Sequence, residues 1–123
     1  MVITAYHGSQ EDNLRLMPYQ IYLTNDICIA RRYACGYAFC MRLYEYEKPT
    51  VYTMEVVFDN PLIIQTVQEY EDMMDISNID FMRERLSENG YDGMVFTCDD
   101  GLTYYMALNA NKQCKIIDRE ELL

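Results

Sequence analysis

The fold is decided by the stretch IYLTND at residues 21–26 and the segment ICIARRYA at residues 27–34 that follows it. The first part is apolar and ends in a threonine, an asparagine and an aspartate, residue types that cap the N-termini of helices. The pattern therefore predicts a short buried strand that runs through a capped turn into a helix. This helix is expected to start at residue 26 or 27.

Two tyrosines of this stretch, Tyr22 and Tyr33, are separated by ten residues. Tyr33 lies about two turns into the predicted helix, or roughly 10 Å along its axis at 1.5 Å per residue. A side chain there leans back toward the N-terminus of the helix and so toward the strand. The two rings could then clamp one flat ring, although packing in a core explains them equally well.

The only histidine, His7, lies fifteen residues before Tyr22, inside YHGS at residues 6–9. Residues 1–6 alternate as a strand does and bring His7 to the strand end. Gly8 permits an unusual backbone angle or the close approach of a ligand. By chemistry alone, a lone imidazole at such a place is as often structural as functional.

These motifs resemble the ADP-ribosyltransferase fold of the diphtheria toxin and poly(ADP-ribose) polymerase group, in the small form carried by bacteriophages and mobile elements. The resemblance rests on His-Gly-Ser, on the Tyr-x10-Tyr spacing, and on later segments in the family's order at residues 51–56, 60–64, 90–95 and 105–109. It implies one α+β domain over residues 1–123, with two small packed, mainly antiparallel sheets and flanking helices. Runs of strands with helices between them point to the same class.

The resemblance also implies that NAD is the co-substrate. The matching histidine would hydrogen-bond a ribose hydroxyl, the Gly8 backbone would pair with the nicotinamide carboxamide, and the two tyrosines would stack on nicotinamide. The predicted NAD-binding residues are His7, Gly8, Ser9, Tyr22, Thr24 and Tyr33.

The chain departs from the family at the catalytic glutamate. This residue usually stands directly before the segment matched by residues 105–109, and the position is Tyr104 here. Polymerisation of ADP-ribose is therefore not expected. Asp100 is the preferred replacement acid, ahead of Asp99 and Glu55, whereas the alternative is that Asp-Asp-Gly only forms a hairpin turn. The predicted catalytic residues are His7, Tyr33 and Asp100.

Composition limits the partners. The net charge of −10 disfavours direct nucleic-acid binding and favours a basic host protein, such as one that itself binds nucleic acid. No apolar run is long enough to span a membrane and no secretion signal is seen, so a cytoplasmic location is expected. A monomer or small homo-oligomer is expected. Five cysteines without a C-x-x-C pair predict neither a disulfide framework nor a metal site.

The leading hypothesis is a mono-ADP-ribosyltransferase that modifies a side chain of a host protein. Its small size and acidity suit a phage-encoded anti-defence effector of the anti-CRISPR type, acting in the bacterial cytoplasm. One alternative is a non-catalytic binding module with an acidic surface near residues 69–72. Another is a toxin that hydrolyses NAD.

The remaining pattern predicts further elements. A helix over residues 26–41 is expected, with a break near residues 35–37 as an alternative because Gly36 costs about 1 kcal/mol there. Residues 10–17 read as a loop, and 43–48 as an edge strand or an aromatic loop. Strands are predicted at 50–58, 62–65, 92–97, 102–109 and 113–117, with a hairpin turn at 98–101, helices at 67–75 and from Ser77 or Asn78 to 88, and a frayed tail at 118–123.

Overall fold

The computed structural model describes residues 1–35, 48–74 and 79–122. Within these ranges the chain forms seven strands and four helices. In chain order they are β1 (Val2–Ser9), β2 (Ile21–Thr24), α1 (Ile27–Ala34), β3 (Thr50–Val57), β4 (Leu62–Ile64), α2 (Val67–Met74), α3 (Ile79–Glu88), β5 (Gly93–Thr97), β6 (Thr103–Ala107), α4 (Ala110–Gln113) and β7 (Cys114–Glu121).

The strands form one sheet in the order β4-β5-β6-β2-β1-β3-β7. Every neighbouring pair is antiparallel except β4 and β5, which are parallel. The expected mainly antiparallel α+β fold is confirmed, but the two expected sheets are joined into one. The join is narrow, because β1 and β2 are in register only at Tyr6 and Thr24.

The junction between β2 and α1 follows the capping rules. The Asp26 carboxylate accepts a hydrogen bond from the Cys28 N–H at 2.8 Å, and the Thr24 hydroxyl accepts one from the Asp26 N–H at 3.2 Å. Asp26 is thus the N-cap and the helix begins at Ile27, as predicted. The helix ends at Ala34 with Cys35 as its C-cap, which agrees with the break given as the alternative to a helix over 26–41. Residues 36–47 lie outside the described ranges.

Helix α1 packs on β1 at unusually short range, because small residues meet there. Ala30 and Ala34, one turn apart, are buried on the side of the helix that faces the sheet. A Cβ atom on Gly8 would lie 2.0 Å from the Ala30 carbonyl oxygen. An unusual backbone angle or the close approach of a ligand was expected at Gly8, and the structure shows the close approach of the helix backbone, which fixes where α1 sits.

The two faces of the sheet are covered differently. One face carries a core cluster around Tyr52, Met54 and Phe58, against which Leu14 and Leu16 of the loop after β1 pack. On the opposite face α1 packs over Val51, while Leu86 of α3 belongs to a second cluster. Within the described ranges, α1 and α3 thus pack over different strands of this face.

The turn predictions hold where the structure describes them. Helix α3 ends before Gly90, whose φ of +80° is the left-handed conformation expected at that position. In the β5–β6 hairpin the Gly101 N–H donates to the Cys98 carbonyl at 3.0 Å. The cap positions 77 and 78 and the side chains of Met73 and Met74 lie outside the described part.

The prediction of a frayed tail was wrong. Strand β7 continues to Glu121 because it pairs with β3 along its length, from Cys114 opposite Val56 to Glu121 opposite Thr50, with one register shift between Thr53 and Met54. Before it, the short helix α4 occupies Ala110–Gln113, between the strands predicted at 102–109 and 113–117, and includes the first residue of the second.

Candidate functional site

A cavity of about 1020 Å³ opens where β1 and β2 stop pairing. Small-molecule sites commonly have volumes of about 300–1,000 Å³. All six predicted NAD-binding residues line it: His7, Gly8, Ser9, Tyr22, Thr24 and Tyr33. The structure thus brings together residues that the sequence places on one strand end, a second strand and a helix.

The cavity reaches both faces of the sheet. Because side chains alternate along a strand, His7 and Ser9 belong to one face, while Tyr22 and Thr24 belong to the other. Only a gap between strands lets these two sets share one space. The apolar floor on the second face comes from three neighbouring strands and consists of Ile64, Met94, Phe96 and Met106.

His7 spans the gap between the strands. Its Nδ1 atom lies 2.7 Å from the Tyr22 carbonyl oxygen. A carbonyl only accepts, so Nδ1 carries the proton and Nε2 of the neutral ring keeps a lone pair. Burial lowers the pKa of His7 below its usual value, although the hydrogen bond to Tyr22 opposes this shift. The neutral ring is therefore favoured near pH 7, with Nε2 able to accept from a hydroxyl.

The two predicted aromatic walls are present and accessible. The side chain of Tyr22 is 41% exposed and that of Tyr33 is 50% exposed, although both line the cavity. Burial raises the pKa of the Tyr22 phenol, so it stays protonated. Tyr33 is carried by α1, whose position depends on the contact with Gly8. Half-exposed rings beside a cavity are suited to stacking on a planar ligand.

Asn25 fixes the corner between the site and the β5–β6 turn. Its side-chain nitrogen donates to the Gly101 carbonyl at 3.0 Å, and its side-chain oxygen accepts from the Thr103 N–H at 2.8 Å. Its own N–H donates to the Thr103 carbonyl at 3.1 Å. The start of β6 is therefore held against the start of α1.

The structure places the predicted acids away from the cavity lining. Asp100 lies in the exposed turn, where its carboxylate accepts from the Leu102 N–H at 3.0 Å, as the turn interpretation expects. Asp99 and Glu55 are exposed and do not line the cavity either. Tyr104, at the position of the family glutamate, does line it. Whether Asp100 supplies the acid stays a prediction.

The sequence interpretation missed Glu11, which is the carboxylate-bearing residue among the described cavity-lining residues. It lies in the loop after β1, two residues beyond the predicted Ser9. Closeness to YHGS in the chain was the signal that could have singled it out. The irregular loop offered no periodicity from which its direction could be judged.

The described residues were also compared with the requirements of a metal site and of a membrane-spanning helix. In residues 1–35, 48–74 and 79–122, no group of three His, Cys, Asp or Glu side chains could hold a metal ion. Across the same described ranges, no helix combines the length and apolar character needed to cross a membrane.

Comparison with known proteins shows a similar fold but no matching family. No protein-family model matches the chain, and no curated protein matches its sequence. Its structure is similar to a chain in the crystal structure of the MbcT–MbcA toxin–antitoxin complex of M. tuberculosis, with a TM-score of 0.63 and 12% sequence identity. The match covers 99% of this chain and 85% of that chain. The α+β fold is thus one that also occurs in a toxin–antitoxin complex.

Proposed function

We propose that the chain binds NAD in this cavity, breaks the bond between nicotinamide and ribose, and transfers a single ADP-ribose to a protein side chain. The observation that carries the proposal is the convergence of His7, Gly8, Tyr22 and Tyr33 on one cavity. The sequence resemblance predicts NAD as their ligand without using any spatial relation among them.

The local chemistry suits the assigned roles. Nicotinamide would lie between the rings of Tyr22 and Tyr33, and a ribose hydroxyl would donate to Nε2 of His7. The register between β1 and β2 does not extend to Gly8, so β2 does not fill the backbone edge of Gly8 that would meet the carboxamide. Stacking contributes on the order of 1 kcal/mol beyond burial, so its main effect is to orient the ring.

The proposed biological setting rests on the fold similarity and on the sequence and its charge. Similarity to a chain of a toxin–antitoxin complex supports an intracellular role in which a second protein binds this one. A basic host protein as acceptor, a cytoplasmic location and a phage-encoded anti-CRISPR role stay predictions from the sequence and its charge. Hydrolysis of NAD is the variant in which water replaces the protein acceptor.

The test is incubation of the purified chain with labelled NAD and a bacterial lysate, followed by detection of free nicotinamide and of labelled protein. Tyr33→Ala is the test variant. Tyr19→Ala is its matched control, since Tyr19 is a similarly exposed tyrosine that does not line the cavity.

We expect a labelled band that Tyr33→Ala abolishes and Tyr19→Ala preserves. Free nicotinamide without a labelled band would assign hydrolysis instead of transfer. Absence of nicotinamide release, together with absence of NAD binding in calorimetry, would reject the proposal.

A non-catalytic acidic binding module is the second candidate, and the exposed acidic side chains of one helix favour it. Glu69, Glu71 and Asp72 of α2 are all exposed, in a chain of net charge −10. On this hypothesis Glu71→Lys with Asp72→Lys abolishes partner binding, while Tyr33→Ala leaves it intact. The enzyme hypothesis predicts that Tyr33→Ala, not the charge reversal, abolishes nicotinamide release.

A further inference from the structure

The cavity contains a carboxylate that no earlier assignment uses. Glu11 lines the same space as His7, Tyr22 and Tyr33, and it is the acidic side chain among the described lining residues. Its carboxylate forms no hydrogen bond or ion pair with another described side chain, so it is available to a ligand. Among the described residues that line the cavity, Glu11 is therefore the one whose carboxylate could stabilise a cation that forms there.

A buried tyrosine fixes the backbone of Glu11. Tyr52 of β3 is only 2% exposed, and its hydroxyl donates to the Glu11 carbonyl at 2.8 Å while accepting from the Leu14 N–H at 3.1 Å. The phenol of a core residue therefore holds the backbone of residues 11–14 at both ends. The Glu11 side chain starts from a fixed point even though it belongs to a loop.

Flanking contacts hold the same loop from its other sides. The Lys48 N–H donates to the Gln10 carbonyl at 2.9 Å. The ion pair between the Lys48 ammonium and the Asp12 carboxylate, 3.6 Å apart, is largely exposed and contributes little. Arg119 of β7 donates to the Asp12 carbonyl. Residues on both sides of Glu11 are thus tied to the half of the sheet formed by β1, β3 and β7.

Glu11 also lies beside the predicted ribose-binding residue. Its N–H donates to the Ser9 hydroxyl at 3.2 Å. Ser9 and His7 point to the same face of β1 and are separated by about 7 Å at 3.3 Å per residue. A ribose that donates to His7 would therefore lie within reach of a glutamate side chain anchored next to Ser9.

We propose that Glu11 is the catalytic carboxylate, replacing the glutamate that Tyr104 displaces; this inference rests on the proposed function. The bond between ribose C1′ and the nicotinamide nitrogen breaks, and its electron pair stays on that nitrogen, which becomes neutral. Positive charge moves to C1′ and the ribose ring oxygen, where the Glu11 carboxylate stabilises it. The acceptor then bonds to C1′ and gives its proton to Glu11, which releases it to water.

The experiment compares wild type with Glu11→Gln, Glu11→Asp, Asp12→Asn and Asp100→Asn. For each protein, nicotinamide release gives kcat and KM, and calorimetry gives the Kd for NAD. Asp12→Asn is the matched control, because it removes the neighbouring carboxylate, which does not line the cavity. Asp100→Asn tests the competing acid. Circular dichroism and the unfolding temperature verify folding, which Glu11→Gln should preserve because the loop is held through backbone atoms.

We expect Glu11→Gln to lower kcat on the order of 100-fold, the usual cost of removing one electrostatic stabiliser, with the Kd for NAD changed less than threefold. Glu11→Asp should recover part of the loss, and Asp12→Asn should stay within threefold of wild type. A loss in Asp100→Asn as large as that expected for Glu11→Gln, with Glu11→Gln active, would assign the acid to the β5–β6 turn instead. An active wild type with an equally active Glu11→Gln would overturn the role of Glu11 and leave the proposed function standing. A wild type that neither binds NAD nor releases nicotinamide would end both.

Discussion

The imidazole Nδ1 of His7 and the carbonyl oxygen of Tyr22 lie 2.7 Å apart, across a gap where β1 and β2 have no backbone register. A side chain thus makes the connection between strands that a backbone ladder makes elsewhere. The same contact fixes the tautomer of the ring and leaves Nε2 for a ligand. The link between the two strands and the proposed ligand contact therefore depend on one hydrogen bond.

The first prediction concerns the pH dependence of stability. Burial lowers the folded-state pKa of His7 below its unfolded value of about 6.5, so the neutral ring stabilises the fold above that pH. This contribution is lost as the pH falls from about 6.5 through the folded pKa, because the unfolded chain binds the proton more readily. Urea unfolding at pH 7.5 and 5.5 measures it.

His7→Asn is the matched control, since its amide can still donate to the Tyr22 carbonyl but does not titrate. We expect the loss of stability between pH 7.5 and 5.5 to shrink in this variant, while His7→Ala loses about 1 kcal/mol at pH 7.5. Equal pH dependence in wild type and His7→Asn would contradict the assignment.

The second prediction separates ligand binding from stability at Tyr33. Because this side chain is half exposed, Tyr33→Ala should change the free energy of unfolding by no more than about 0.5 kcal/mol. Loss of a stacking face should nevertheless weaken NAD binding by about 1 kcal/mol or more, which is roughly fivefold. Tyr33→Phe keeps the ring and should bind like wild type. Calorimetry measures the Kd for NAD of wild type, Tyr33→Ala and Tyr33→Phe. A normal affinity in Tyr33→Ala would exclude stacking of the ligand on Tyr33.

The third prediction concerns the contact between α1 and β1. Gly8→Ala places a Cβ 2.0 Å from the Ala30 carbonyl oxygen, so α1 must shift. Overpacking of this kind costs about 1–3 kcal/mol, and the shift moves Tyr33. We expect lower stability and also weaker NAD binding per folded molecule.

Gly90→Ala provides the comparison for Gly8→Ala. Nothing lies within 4 Å of the added Cβ, but the φ of +80° costs about 1–2 kcal/mol. Its stability should fall by a similar amount with NAD affinity unchanged. If both variants kept normal affinity, the position of α1 would not govern the site.

The fourth prediction tests the clamp on Glu11. Tyr52→Phe removes a hydroxyl that holds the Glu11 carbonyl and the Leu14 N–H, which should cost about 1 kcal/mol of stability. The loosened loop should lower kcat several-fold. Amide hydrogen exchange should accelerate at Leu14 but not at Leu108, whose N–H donates to the Asp92 carbonyl elsewhere in the fold. Unchanged exchange at Leu14 would show that the clamp does not hold the loop.

Much of the local structure was predictable because it depends on neighbouring residues. Asp26 caps α1 with its own carboxylate, and Gly90 ends α3 by adopting a backbone angle that side chains disfavour. The clustering of His7 with Tyr33 was predictable from the family resemblance alone. No periodicity in the sequence reveals a gap between two strands.

The features that the sequence analysis did not predict depend on contacts between residues far apart in the chain. The acidic end of β7 resembles a solvated tail, and only its pairing with β3, more than sixty residues earlier, makes it a strand. Glu11 escaped notice because Tyr52, 41 residues away, fixes its position. Two separate sheets were expected from the family resemblance, and nothing local signals the single register position at Tyr6 and Thr24 that joins them.

That narrow join has a consequence for how the protein is made. Strands β1, β3 and β7 on one side and β4, β5, β6 and β2 on the other alternate along the chain, so neither half is a continuous segment. The cavity draws on both halves, and its walls include β6 at Thr103–Ala107. During synthesis, which proceeds from the N-terminus, a nascent chain holds no complete site until β6 has left the ribosome. Any activity that depends on this cavity can therefore appear only late in synthesis.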